Sequence, residues 1–462
     1  MLHVLSLIDM AEKLKLSPFL FFLKLDKESY VVYNSLLIKK FFCNKDTVNK
    51  IKKLDLENDK PPSNYLYQER FLIDLDLQEK DEVELLLKKE NINFKQPFFK
   101  IFYVIVTTGC NFRCKYCYLS SLVSYTPRIM NKETAGRALE YFYRYISKVK
   151  DEIPKLVIYG GEPLLNQEVV KFLVYDIRKN IASGRLPFIN IILITNGSLL
   201  TEEIAEFLKL NQVLVAISLD GPKEINNANR LYANGAGTYD NTVSAINLLN
   251  KYGLKPTISC TINSENVSKL KKIIPWMIKK FNIDSLGLNL FAGGDCSNKV
   301  IKKLSSNSAR EIIKVFEICR KYGIYEDTIL RQIKSFVNEK PNIYYCAATG
   351  REISIDPEGN LATCPAFLNT EMFPFNMSEN PALEQEEEFK RWTLRSPLLN
   401  KKCYGCIALG VCGGGCAFNS HKNHKDIYAL DEFYCGYAKT ITEWMLKDLY
   451  KLTKEKVHAR SL

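Results

Sequence analysis

Thr107–Ser121 reads TTGCNFRCKYCYLSS, with cysteines at 110, 114 and 117 separated by three and then two residues. The stretch follows directly on FFKIFYVIVT (98–107), an apolar run of strand character, so the three thiols fall on the loop at a strand's C-terminal end. Barrel folds place their chemistry at that end. Downstream the rhythm repeats in KLVIYG (155–160), INIILIT (189–195), VLVAISL (213–219), PTISCTI (256–262) and SLGLNLF (285–291), with amphipathic helical windows between them. Six strands alternating with helices predict an α/β fold whose centre, residues 98–325, is a partial (β/α)6 TIM-like barrel.

Residues 1–95 have another character. FLFFLKLDKESYVVYN (19–34) reads as a hairpin with DKES as its turn, followed by DTVNKIKKLDL (46–56), RFLIDLD (70–76) and EKDEVELLLKKE (79–90), which make a small α+β module. Beyond Lys340 the apolar periodicity breaks up, and seven of the fourteen cysteines fall between Cys346 and Cys435. Residues 340–440 are therefore expected to be organised by ligands more than by a core, with a C-terminal helix over 441–462.

Composition sets the compartment. The 462 residues are 46% hydrophobic and 25% charged, as in an ordinary globular protein. No apolar run approaches the ~18 to 20 residues of a membrane span, and the N-terminus lacks a signal-peptide layout, so a cytoplasmic protein with no membrane partner is expected. Fourteen cysteines in that setting favour metal or redox chemistry over disulfides. The formal charge of +12 comes from lysines mixed with acids, as in KKLDLENDK, which does not suggest nucleic-acid binding.

The uneven spacing of the three thiols bears on their ligand. A four-thiolate zinc site wants paired CxxC knuckles, whereas a 4Fe-4S cluster can be held by three thiolates, leaving one iron free. Zinc and simple burial remain the alternatives. Cys43, Cys260 and Cys296 are isolated and read as small buried hydrophobes, and His421 and His424 as solvent-facing in a polar loop.

CxxxCxxC with Tyr116 before its last cysteine resembles the cluster loop of radical S-adenosylmethionine (SAM) enzymes. GGEP (Gly160, Gly161, Glu162, Pro163) follows the second strand, ITNG with Asn196 ends the third, and SLDGP with Ser218 and Asp220 ends the fourth, before Arg230. The resemblance implies that Cys110, Cys114 and Cys117 hold a 4Fe-4S cluster, and that the GGEP loop contacts the SAM amino group. It further implies that Ser218, Asp220 and Arg230 lie around the SAM ribose and carboxylate. The reduced cluster would cleave SAM to methionine and a 5′-deoxyadenosyl radical, with an external one-electron reductant such as flavodoxin or ferredoxin as partner.

Cys346, then Gly359 four residues before Cys364, then CYGCIALGVCGGGC (403–416) and Cys435, is similar to the SPASM extension of that family. Interleaved ligation as in the family implies one auxiliary 4Fe-4S cluster on Cys403, Cys406, Cys412 and Cys435, and another on Cys346, Cys364 and Cys416. Glycines 413–415 would offer backbone N–H groups to the sulfides. The missing eighth ligand is either Cys319 or an open site, with the open site preferred because Cys319 lies in an amphipathic helical window.

The N-terminal module is similar to the winged-helix-like recognition modules (RREs) that precede the barrel in maturases of ribosomally made peptides. That implies a leader-bearing precursor peptide as partner and a thioether or carbon–carbon cross-link as product. One rival is an anaerobic sulfatase-maturing enzyme, whose group has an aspartate after the Gly-x4-Cys cysteine where this chain has Pro365. The other is an iron–sulfur electron carrier or sensor without catalysis.

Overall fold

The computed structural model describes residues 14–54, 61–94, 96–117, 127–149, 152–290, 298–380 and 382–460. Cys296, expected to be buried, lies outside the described residues.

All six predicted central strands form: β6 (Ile101–Ile105), β7 (Lys155–Tyr159), β8 (Asn190–Thr195), β9 (Leu214–Ser218), β10 (Thr257–Ile262) and β11 (Ser285–Leu290). Each pairs in parallel with the next. Helices such as Lys132–Ile146, Gln167–Ala182 and Glu202–Leu210 supply the crossovers. Two of these start at side-chain caps: Asn131 accepts from the Thr134 N–H and Thr201 from the Ile204 N–H. Leu156, Ile158, Ile191, Leu193, Ile217 and Ile258 are fully buried, each stabilising the fold by roughly 1.5–3 kcal/mol.

The sheet does not stop at six strands. β12 (Tyr325–Glu326) adds in parallel beside β11, and β13 (Glu352–Ile355) adds in parallel beside β6. β14 (Asn360–Ala362) and β15 (Phe375–Asn376) then extend the sheet antiparallel, so it is open and ten-stranded. The expectation that ligands outweigh core beyond Lys340 is thereby corrected. Ile353, Ile355, Leu361, Phe367, Phe373, Phe389 and Trp392 are buried in the same core as the barrel. Strands of two to four residues and aromatic rings drawn from separate turns leave no period to read.

In the N-terminal module the predicted hairpin is present, but as part of a three-stranded antiparallel sheet, β2 (Leu20–Lys24), β3 (Ser29–Asn34) and β4 (Lys39–Asn44). The Asp26 carboxylate accepts from the Glu28 and Ser29 N–H groups at 3.0 and 2.8 Å and closes the DKES turn. The second turn is closed the same way by Asn34, which accepts from Leu36 and Leu37. β1 (Leu14–Leu16) pairs separately with β5 (Leu72–Asp74). Val31, Tyr33 and Ile38 belong to the main core, the Gly410 N–H donates to the Ser35 carbonyl, and the Lys40 ammonium donates to the Phe336 carbonyl. The module is thus fastened to the C-terminal third.

The long helix Asn298–Tyr322 buries Cys319 completely among Ala309, Ile312 and Phe316. Cys260 is fully buried on β10 and Cys43 half-buried on β4. No helix among the described residues is long and apolar enough to cross a membrane.

Candidate functional site

The loop carrying Cys110, Cys114 and Cys117 is held from three sides. The Gly161 N–H donates to the Thr107 carbonyl at 3.0 Å and the Glu162 N–H to the Gly109 carbonyl at 2.8 Å, joining the loop after β7 to the loop after β6. A Cβ on Gly160 would strike the Thr107 carbonyl oxygen and one on Gly161 the Gly109 carbonyl oxygen, so both glycines permit backbone-on-backbone approach. Asn196, after β8, donates to Asn111 at 2.9 Å, and Asn111 donates to Ser198 at 2.8 Å. The segment after β9 straps the other side: the Arg113 N–H donates to the Leu231 carbonyl, the Lys115 N–H to the Asn229 carbonyl, and the Phe112 and Tyr232 rings meet edge to face at 4.9 Å.

The three thiols lie within electrostatic reach of one another. Burial pushes Cys110 up to about 12 and raises Cys114 as well, where the Arg230 guanidinium works in the opposite direction. Tyr116 donates to the Asp220 carboxylate, Arg230 donates to the other oxygen of that carboxylate at 3.1 Å, and the guanidinium lies over the Tyr116 ring at 5.3 Å. The Thr261 N–H completes the set at 3.0 Å from Asp220. Ser218 closes β9 beside Ser259 of β10.

Two of the residues expected to face the cofactor carry carboxylates that are fully engaged within the protein. Glu162 is fully buried, and its carboxylate accepts from the Leu164 N–H, the Thr195 hydroxyl and the Asn196 N–H at 3.0, 2.7 and 2.7 Å. Asp220 is also fully buried and engaged on both oxygens. Buried carboxylates collect donors from the protein itself, and these two tie together the loops after β7, β8 and β9. The Nε–H of Arg230 is buried without a hydrogen-bond acceptor, as is the side-chain amide nitrogen of Asn229, and the guanidinium acts on the Cys114 thiol. A buried guanidinium with a free donor beside a three-thiol loop fits the carboxylate of SAM and an adjoining cluster. Among the described residues no three Cys, His, Asp or Glu side chains converge as a single metal ion would require. The corners of an iron–sulfur cube hold thiolates further apart than that.

The C-terminal cysteines fall into two groups. Cys412 is raised by burial, then by the neighbouring charges of Cys435, Cys406 and Cys403. Burial likewise pushes Cys403 up to about 11 and Cys435 to about 12. The second group is Cys346, Cys364 and Cys416, in which burial pushes Cys346 up to about 12. Glu352 stands beside this group, its carboxyl pushed up to about 8 by burial alone. Gly413, Gly414 and Gly415 all have positive φ, and the Gly414 N–H donates to the Cys412 sulfur at 3.3 Å, so the chain here turns its amides toward sulfur. Cys319 is influenced by Glu326 and not by either group.

Sequence reading missed the frame of these groups. Arg395, buried, donates to the carbonyls of Gly414, Gly415 and Ile427 at 2.8, 2.7 and 2.6 Å. Asp431, buried, accepts from the Cys416 and Tyr434 N–H groups at 3.0 and 3.1 Å. An arginine inside the apolar stretch WTLRSPLL (392–399) was the available signal, since a buried cation demands partners. His421 also departs from expectation. Its helix, Ala417–His424, starts directly after Cys416 and turns its ring against Phe367, leaving the Nδ1 buried, whereas His424 is exposed and pairs with Glu432.

Residues 104–277, from within β6 to within the helix Leu270–Lys280, match the model of the radical SAM superfamily. The chain carries a radical SAM domain. That family uses a 4Fe-4S cluster and SAM. The radical SAM cyclopropyl synthase TigE of Paramaledivibacter caminithermalis is 25% identical over 92% of this chain and 90% of its own. The cysteine-type anaerobic sulfatase-maturating enzyme of Clostridium perfringens is 29% identical over 73% of this chain and 94% of its own. Among solved structures, Streptococcus suis SuiB bound to its precursor peptide SuiA superposes with a TM-score of 0.55 over 91% of this chain and 99% of that one, at 16% identity, a likeness of fold. The chain thus has homologues among both SPASM-type peptide maturases and sulfatase maturases.

Proposed function

We propose that this radical SAM enzyme is a peptide maturase, binding a leader-bearing precursor peptide and forming a thioether or a carbon–carbon bond in it. The observation that carries the reading is the fastening of the N-terminal module to the cysteine-rich third, through Ser35 to Gly410 and Lys40 to Phe336. It supports the reading because a module that binds the leader would then lie beside the C-terminal cysteines. When bound, SAM and the cluster supply a 5′-deoxyadenosyl radical that removes a hydrogen atom from the substrate.

The chain's own residues do the positioning. Asp220 orients Arg230 and Tyr116, Arg230 offers its free Nε–H to the SAM carboxylate, and Glu162 fixes the loops after β7 and β8. Among the described residues β4 is an edge strand paired only with β3, and an extended leader adds there by main-chain hydrogen bonding. Groups at Cys403, Cys406, Cys412 and Cys435, and at Cys346, Cys364 and Cys416, hold the auxiliary clusters. A carbon–carbon bond is also what the name of TigE indicates for that relative, and TigE aligns over nearly the whole chain.

The sulfatase-maturing reading rests on a homologue of equal standing, but no carboxylate follows Cys364 here; Pro365 opens a short, buried turn instead. The test is co-expression with a short open reading frame encoded beside this one, followed by mass measurement of the peptide. A new thioether or carbon–carbon bond removes two hydrogen atoms and leaves every sulfur in place. Conversion of cysteine to formylglycine, seen as loss of sulfur, would give the assignment to the rival.

A further inference from the structure

Seven carboxylates are buried among the described residues: Glu82, Glu162, Asp220, Glu326, Glu352, Asp356 and Asp431. Six have partners. Glu82 accepts from Ser17 and Arg70, Glu326 from the Thr328 and Ile329 N–H groups, and Asp356 from the Glu358 and Asn360 N–H groups. Glu162, Asp220 and Asp431 are engaged as described above. Glu352, 8% exposed, has no hydrogen bond or ion pair to its carboxylate among the described residues, and its oxygens are not among the fully enclosed unpartnered atoms. A carboxylate on a largely buried residue that receives no donor from the protein calls for an explanation.

Strand register says where it points. In the antiparallel pair of β13 and β14, Ser354 stands opposite Ala362 and Ile355 opposite Leu361. Continuing that register by two residues puts Glu352 opposite Cys364, on one face of the sheet, where directly opposed side chains are neighbours. On the other side, β13 pairs with β6, with Glu352 beside Ile101 and Ser354 beside Tyr103. Cys346, Cys364 and Tyr103 are the groups whose electrostatics Glu352 alters.

Seven thiolates serve two auxiliary clusters, and the spare thiol, Cys319, is buried in the helix Asn298–Tyr322 away from both groups. We infer that the Glu352 carboxylate is the fourth protein ligand of the cluster held by Cys346, Cys364 and Cys416. This replaces the open site preferred from sequence, and it rests on the reading of those cysteines as a cluster site. Carboxylate oxygen is a harder, less electron-releasing donor than thiolate, so the cluster has one distinct iron and a higher potential than a four-thiolate one.

The test uses the full chain with Cys110, Cys114 and Cys117 replaced by alanine, so that only auxiliary iron remains after anaerobic reconstitution. About eight irons per chain are expected from two four-iron clusters. With glutamate carboxyl carbons labelled by carbon-13, the reduced cluster should show hyperfine coupling to carbon-13, and Glu352→Gln should remove it. Glu352→Cys should keep the iron and lower the midpoint potential. About eight irons without carbon-13 coupling in the chain that retains Glu352 would overturn the ligand assignment alone. About four irons or fewer would overturn the cluster reading and the ligand with it.

Discussion

Replacing Cys110, Cys114 and Cys117 together by alanine abolishes reductive SAM cleavage while the C-terminal thiol groups keep their iron. The three thiols sit on one loop after β6, and the charges that act on Cys110 and Cys114 come from each other, Cys117, Glu162, Asp220 and Arg230, not from the C-terminal cysteines. The ligand sets are therefore separable. Iron should fall from about twelve to about eight per chain, the loss of one four-iron cluster. The fold should persist, because the loop stays tied through Gly161, Glu162 and Asn111. Iron and sulfide analysis with chromatographic detection of 5′-deoxyadenosine checks this. Deoxyadenosine formation retained in the triple variant would remove the SAM-cleaving role from these cysteines.

Arg230→Ala has the second large effect, and it acts on stability and on cofactor binding together. Removing the guanidinium leaves Asp220 fully buried without its cation, at a cost of about 3–5 kcal/mol. It also removes a buried donor without a hydrogen-bond acceptor beside the three-thiol loop, so SAM affinity should fall. Combining Arg230→Ala with Asp220→Asn separates the two effects: the uncompensated charge is gone, stability recovers in part, and SAM affinity does not. Chemical denaturation and equilibrium dialysis give both readouts. A single variant within about 1 kcal/mol of the parent, the size of an exposed ion pair, with unchanged SAM affinity would show that the Asp220–Arg230 pair is peripheral.

The barrel strands were legible because each is an apolar run of five or six residues, and the first four are followed by the cysteine loop, GGEP, ITNG and SLDGP at their C-terminal ends. The cysteine groupings rest on spacing and family resemblance; the thiol charges that act on Cys412 and on Cys364 come from members of the same group in each case. What spacing does not reveal is direction. The Glu162 and Asp220 carboxylates of GGEP and SLDGP accept from donors of β8, β10 and the segment after β9, partners that the motifs alone do not reveal. β4 was missed because Asn34 makes the preceding turn through its side chain, without the glycine or proline that punctuates most turns. β13, β14 and β15 are too short to show alternation, although they carry Glu352 and lead to Cys364. Arg395 and Asp431 stand in no motif at all; only the fold brings them to Gly414 and Cys416.

The central claim is that radical chemistry starting at Cys110, Cys114 and Cys117 is directed at a peptide. Isotope transfer tests it most directly. The precursor peptide, deuterated at its side-chain carbons, is incubated with the reconstituted enzyme, SAM and a reductant, and the 5′-deoxyadenosine formed is weighed by mass spectrometry. The account predicts deuterium in the deoxyadenosine, rising in step with peptide that has lost two hydrogen atoms. Deoxyadenosine free of deuterium, formed at the same rate with and without the peptide, would contradict it.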